Sequence, residues 1–216
     1  MTADHDVIGR VVDYLGFELD EGRLDLLDAY AEWLIAEAIP AGGLGPREAD
    51  RIWDRHIADS LVFGVGWPDT PPGEILDIGT GVGLPGIPLA ILFPDAVVTL
   101  LDRGGRRVRL LHRAVRILGL ANVVIAQADV FAVADEWQSL VSRGSVTAPE
   151  TVGLAAKLLD VPGTAVVGLS RRPDEPAKAR DLVGIATALG LDAEVIQVPA
   201  GVLATPAWLL IMRFGG

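Results

Sequence analysis

The sequence predicts an α/β fold built on a doubly wound, mostly parallel sheet, and three observations predict it. From Glu74 onward, short apolar runs alternate with stretches of helical periodicity, the pattern of parallel strands joined by crossover helices. One of those runs, Ile75–Ile78, leads directly into the glycine-rich turn Gly79-Thr80-Gly81-Val82-Gly83. Half of the 216 residues are apolar and mean hydropathy is +0.41, which supplies the core that a sheet buried on both faces requires.

The elements follow in order. Residues 1–70 read as helical. Leu24, Leu27, Ala31, Leu34, Ile35 and Ala38 recur at helical spacing with acids between them, marking one amphipathic helix. The stretch Pro40-Ala41-Gly42-Gly43-Leu44-Gly45-Pro46 breaks it. A second helix is expected from Arg47 to Phe63, ending in a loop over Gly64–Gly73. Seven strands are expected: Ile75–Ile78, Val97–Leu101, Val123–Ala126, Leu140–Ser142, Ala165–Leu169, Ala193–Val198 and Trp208–Met212. Helices are expected at Ile87–Phe93, Arg106–Leu118, Glu150–Leu159 and Ala177–Leu189. Pro199–Pro206 reads as a loop, so the last two strands suit an antiparallel hairpin. The reading therefore divides the chain into an N-terminal helical extension (1–70) and a sheet-bearing domain (71–216).

Charge narrows the function. Acids outnumber bases 29 to 18, for a net charge of −11, which argues against a general nucleic-acid coat. Yet Arg103, Arg106, Arg107, Arg109, Arg113 and Arg116 place six arginines in fourteen residues without one acid. The other 12 cations face all 29 acids, leaving the remainder of the chain at −17. Arg106, Arg109, Arg113 and Arg116 repeat at 3, 4 and 3 and form one stripe of a helix. That stripe suits phosphate contact, or pairing with the acidic N-terminal helices, where 15 acids face 5 bases. The absence of cysteine excludes a disulfide framework and a thiolate site, and three scattered histidines predict no metal site. Apolar runs stop short of the ~18 residues of a membrane span. The start Met1-Thr2-Ala3-Asp4-His5-Asp6 lacks a cationic, apolar leader, so a cytoplasmic location is expected.

The run Ile75-Leu76-Asp77-Ile78-Gly79-Thr80-Gly81-Val82-Gly83-Leu84-Pro85-Gly86 carries the chemistry. A glycine turn at the carboxyl end of a strand lets a ligand approach the main chain. Alone it does not name the ligand; a dinucleotide would fit as well. Asp77, two residues before the first glycine, gives the form Asp-x-Gly-x-Gly-x-Gly, which resembles the first motif of S-adenosylmethionine-dependent methyltransferases. Asp102 ends the next strand, where a carboxylate accepts hydrogen bonds from both hydroxyls of a ribose. Pro85 and Pro88 suit a helix start.

Larger blocks resemble one family. Arg55-His56-Ile57-Ala58-Asp59-Ser60-Leu61, Leu76 through Ala90, Thr99-Leu100-Leu101-Asp102 and Arg106-Arg107-Val108 are similar to the GidB family, also called ribosomal RNA small-subunit methyltransferase G. The resemblance is close over about residues 51–120. It implies a Rossmann-like class I methyltransferase with a seven-stranded, mostly parallel sheet, using S-adenosyl-L-methionine to methylate a guanine N7 of 16S ribosomal RNA. It implies a cofactor site at Asp77, Gly79, Thr80, Gly81, Gly83, Leu84, Pro85, Asp102, Arg103, Ala128, Asp129 and Arg143. On the substrate side it implies His56, Arg106, Arg107 and Arg143, with 16S rRNA or the small ribosomal subunit as partner. Guanine N7 has a free lone pair, so no catalytic base is expected.

The chain departs from the family pattern at Ile39–Gly43, Ala128-Asp129-Val130-Phe131, Ser142-Arg143-Gly144 and Ser170-Arg171-Arg172. Two rival readings follow: a methyltransferase acting on a small metabolite, or a non-catalytic S-adenosylmethionine-binding partner protein. His56 and Asp59 share one helix face, and Trp137 and Trp208 are either packing residues or platforms for a base.

Overall fold

The structure, a computed structural model, describes residues 3–170 and 175–215. Strands β1 (Glu74–Ile78), β2 (Val97–Leu101), β3 (Val123–Ala126), β4 (Trp137–Arg143), β5 (Leu159–Gly168), β6 (Asp192–Val198) and β7 (Ala207–Phe214) form one sheet in the order β3-β2-β1-β4-β5-β7-β6. β1 to β5 pair in parallel, while β7 runs antiparallel to both β5 and β6. The seven expected strands and the terminal hairpin are all present. Strand order reverses direction at β1, whose neighbours are β2 and β4. This is the place where open α/β sheets leave a crevice beyond their carboxyl ends.

The two-residue strand period sorts side chains between two cores. Ile75, Val141, Val166 and Ile211 face one layer, with α4 (Gly86–Leu92), α5 (Gly105–Leu118) and the N-terminal helices. Leu76, Leu140, Ala165, Val167 and Leu210 face the other, with α6 (Ala148–Leu158) and α7 (Glu175–Ala188). The N-terminal helices α1 (Ala3–Leu15) and α2 (Glu21–Trp33) share the first core with the sheet: Val11, Leu27 and Tyr30 pack in one continuous cluster with Ile87 and Val98. Burying each such side chain stabilises the fold by roughly 1.5–3 kcal/mol. The Tyr30 hydroxyl donates to the Val82 carbonyl at 3.0 Å, which fastens α2 to the glycine turn.

Two expected helices are less regular than their periodicity implies. After α2 the turn widens over Leu34–Ala38, where the Ile39 amide bonds the Leu34 carbonyl. The wider turn slips the apolar stripe, so Leu34 and Ala38 stay buried but Ile35 is exposed. The helix expected from Arg47 to Phe63 is a chain of short pieces: a tight turn at Ala49–Arg51, a wide one at Ile52–Ala58, α3 (Asp59–Leu61) and another tight turn at Val62–Gly66. Arg51 leaves helical backbone angles between the first two pieces. The Ser60 hydroxyl donates to the His56 carbonyl at 2.6 Å, a local bond that competes with regular helix geometry.

Candidate functional site

The glycine turn after β1 is shaped by positive backbone angles. Gly79, Gly81 and Gly83 have φ of 66°, 64° and 104°, a region L-residues seldom occupy. Their surroundings differ. A Cβ on Gly79 would overlap Ser145, and one on Gly83 would overlap Ile87, whereas one on Gly81 would meet only open space. Two glycines therefore serve close packing, and the third leaves the main chain open to a ligand. The turn borders a cleft of about 460 Å³ lined by Gly79, Thr80, Gly81, Leu84, Asp102, Arg103, Arg107, Ala128, Asp129 and Arg143, among others.

Asp102 closes the cleft at the end of β2. Its carboxylate accepts from the Gly104 amide at 2.7 Å and the Gly81 amide at 3.2 Å, with Arg107 Nη1 at 3.4 Å. Asp77 lies elsewhere. Strand alternation puts it on the same face as Ile75, under α4, where it is fully buried and accepts from the Gly86 amide at 2.8 Å. It braces the turn from beneath and does not line the cleft. Burial pushes its carboxyl up to about 6, against the opposing pull of the Thr80 hydroxyl and the Gly86 amide. Asp77 Oδ1 and the Thr80 hydroxyl feel each other electrostatically, yet neither has a hydrogen bond of good geometry. Gly83 and Pro85 also support the turn from outside the cleft, Pro85 immediately before α4.

Arg143 ends β4 on the same face as Val141, so it points toward the irregular N-terminal segment. Its guanidinium lies 3.7 Å from Asp59 and about 3.5 Å from the Arg55 and His56 carbonyls. The side chain is only 20% exposed, and burial lowers its pKa while Asp59 opposes that shift. Arg55 holds Asp59 at 2.9 Å. His56 Nε2 meets the Glu48 carboxylate at 2.8 Å. Burial nevertheless pushes the imidazole below its ordinary value of 6.5, outweighing Glu48, so His56 is neutral at physiological pH and Nε2 carries the proton donated to Glu48.

A second cavity of about 660 Å³ opens on this cluster, lined by Glu48, Arg55, His56, Asp59, Phe63 and Trp208 with Leu44, Arg143 and Gly144. The last three residues also line the first cleft, so the two spaces share a wall.

The arginines of α5 divide between the two expected roles. All six from Arg103 to Arg116 are exposed. Arg113 pairs with Glu37 at 2.6 Å, Arg106 donates to the Ala41 carbonyl, and Arg107 leans on Asp102. Arg103 and Arg107 line the cleft, and Arg106 does not. Arg171 and Arg172 lie outside the described residues. Among the described residues, no helix is long and apolar enough to cross a membrane, and no group of three His, Cys, Asp or Glu residues is placed to hold a metal.

Several cleft residues carry no local sequence signal. Ser145 donates to the Ile78 carbonyl at 2.6 Å and meets Ser142 at 3.0 Å, tying the loops after β1 and β4 together. Phe131, 55% exposed, borders the cleft. Gly144, at φ 69° immediately after a strand, is the one hint that a functional turn lies there. Trp137 starts β4 at the amino end, the opposite edge of the sheet from the cleft.

The chain matches the family model "GidB: rRNA small subunit methyltransferase G" over residues 23–182. It is 38% identical over 201 residues to "Ribosomal RNA small subunit methyltransferase G" of Mycobacterium marinum, covering 89% of this chain and 85% of that one. It is 32% identical to the protein of that name from Rubrobacter xylanophilus, covering 88% and 74%. Among solved structures, a methyltransferase from Pyrococcus furiosus superposes with a TM-score of 0.57 at 18% identity, covering 73% of this chain and 83% of that one. M. jannaschii TYW2 in complex with AdoMet superposes with a TM-score of 0.55 at 16% identity, covering 75% and 76%.

Proposed function

Because this chain belongs to the GidB family of rRNA small subunit methyltransferase G proteins, we propose that it transfers a methyl group from S-adenosylmethionine to a guanine N7 of 16S ribosomal RNA in the cytoplasm. The observation that carries the reading is the cleft at the β1–β4 crevice, open above Gly81 and closed by the Asp102 carboxylate.

The residues present fit the donor. The space over Gly81 admits a ligand against the main chain, and Asp102 is an acceptor for paired ribose hydroxyls. The buried Asp77 carboxylate lends negative charge beneath a site for a cationic molecule. Thr80, Leu84, Ala128 and Asp129 complete the walls, with Arg103, Arg107 and Arg143 at the edges. When bound, S-adenosylmethionine supplies an electrophilic methyl group on a sulfonium centre.

The protein's own contribution is positioning. A guanine N7 lone pair needs no base to expose it. Holding two reactants at attack distance is worth up to about 7–11 kcal/mol in well-aligned intramolecular reactions, and the shared wall at Leu44, Arg143 and Gly144 is where this chain can impose that alignment. The exposed arginines Arg103, Arg109 and Arg116 suit contact with the RNA backbone. Transfer of labelled methyl groups to small ribosomal subunits and to naked 16S RNA, both from cells lacking this protein, tests the reading. Incorporation that disappears in Gly81→Val supports it; retained donor binding without incorporation into either RNA rejects it.

A further inference from the structure

The turn that admits the donor is rich in glycine, and glycine backbone by itself holds no single form. Thr80-Gly81-Val82-Gly83 closes on the bond from the Gly83 amide to the Thr80 carbonyl at 3.0 Å. Gly83 stands at φ 104°, so the peptide between Val82 and Gly83 has no side-chain bulk on its glycine side and rotates unless both its ends are tied. The amide end is tied within the turn. The carbonyl end is tied from 52 positions earlier in the chain, where the Tyr30 hydroxyl donates to it at 3.0 Å.

Tyr30 is held ready for that bond. It is fully buried on α2, and its ring stacks on Trp33 with centroids 6.0 Å apart and 10° between planes. Trp33 Nε1 donates to Glu37 at 3.2 Å, and Glu37 pairs with Arg113 of α5. Burial raises the hydroxyl's pKa well above the ordinary value of 10, with Arg143 opposing, so the group remains a hydrogen-bond donor at neutral pH. A second contact reaches the same residue of the turn. A Cβ on Gly43 would overlap the Val82 side chain, so bare main chain at Gly43 presses against Val82, which borders the cleft.

We infer that Tyr30 is a positioning residue for methyl-donor binding, acting through the Val82 carbonyl on the main chain at Gly81. Gly43 seats the Val82 side chain in the same arrangement. On this account α2 belongs to the donor site and is not a separate extension. The inference rests on donor binding in the cleft, and it is testable without methyl transfer. Without the hydroxyl, the turn is competent for only part of the time, and apparent affinity falls by that fraction.

Calorimetric titration of the full chain with S-adenosylmethionine provides the test. Tyr30→Phe removes one oxygen and keeps the buried ring. Its donor Kd should rise about three- to tenfold, the net worth of one neutral hydrogen bond. In methylation of small subunits, donor KM should rise in step while kcat at saturating donor holds. Leu27→Val, in the same helix and the same core, should lower the melting temperature and leave donor Kd unmoved. Should Tyr30→Phe fail to fold, Gly43→Ala decides the point, because its Cβ displaces Val82 and should raise donor Kd likewise. An unchanged donor Kd in the folded variant, or an equal rise in Leu27→Val, overturns the positioning role. A wild-type chain that binds no donor overturns that role and the methyl-transfer reading together. Weakened donor binding in Tyr30→Phe, with a wild-type chain that methylates no ribosomal RNA, keeps the role and rejects the ribosomal reading. Methylation of one guanine with donor affinity undiminished in Tyr30→Phe does the reverse.

Discussion

Replacing Asp77 by asparagine should stabilise this protein, increasingly so as pH rises. The carboxyl is fully buried, and its pKa stands at about 6 against an ordinary 3.8. The folded chain thus holds the proton more tightly than the unfolded chain does. That preference favours the fold at low pH and is lost as pH rises from about 3.8 to about 6, leaving a constant deficit above. The deficit amounts to about 1.6 kcal/mol at pH 5 and about 3 kcal/mol at pH 8, from about 1.36 kcal/mol per pKa unit. Asparagine keeps an oxygen for the Gly86 amide and turns an amide nitrogen toward the Thr80 hydroxyl, so the turn keeps its brace. Thermal and urea unfolding of both proteins, measured between about pH 5 and about pH 8, would read the difference. Asp77→Asn should unfold several degrees higher at pH 8, at about 2–4 °C per kcal/mol for a chain of this size, with a smaller gain at pH 5. A variant less stable than wild type at pH 8, or a difference independent of pH, would refute the claim that burial dominates this carboxylate.

Other consequences follow from the same geometry. Asp102→Asn, measured by calorimetry, should weaken donor affinity by about ten- to hundredfold, the worth of hydrogen bonds to a charged acceptor, with little change in melting temperature. Gly79→Ala should destabilise the fold by more than Gly81→Ala, because both strain a positive φ but only the first drives a Cβ into Ser145; urea midpoints decide it. Substituting Arg103, Arg109 and Arg116 with glutamine should flatten the salt dependence of RNA binding by about 0.7–0.9 in log–log slope for each phosphate no longer neutralised, while donor affinity holds.

Much of this architecture is legible in the sequence because it is encoded locally. Ile75–Ile78 and Val97–Leu101 are apolar without alternation, as strands covered on both faces must be. The three glycines and Asp102 then follow at the carboxyl ends of those strands. What local pattern does not encode is proximity across long separations. Arg143 meets Asp59 84 positions earlier, and Ser145 ties itself to Ile78. The second cavity gathers residues from 44–63, 143–144, 168–170 and 207–209, so nothing in any one segment announces it. The widened turns at Leu34–Ala38 and Ile52–Ala58 escape periodicity for a different reason. Both keep apolar residues at near-helical spacing, and in the first only the bond from the Ile39 amide to the Leu34 carbonyl, five residues back, reveals the change of pitch.

The central claim is that the chain methylates one guanine at N7 with the donor held in the Gly81–Asp102 cleft. Small subunits from cells lacking this protein, incubated with it and S-adenosylmethionine, can be mapped by the strand cleavage that follows reduction of 7-methylguanosine. The account predicts cleavage at a single guanine of 16S RNA, absent with Gly81→Val. Methyl groups on another atom or scattered over many guanines, or none despite tight donor binding, would contradict it.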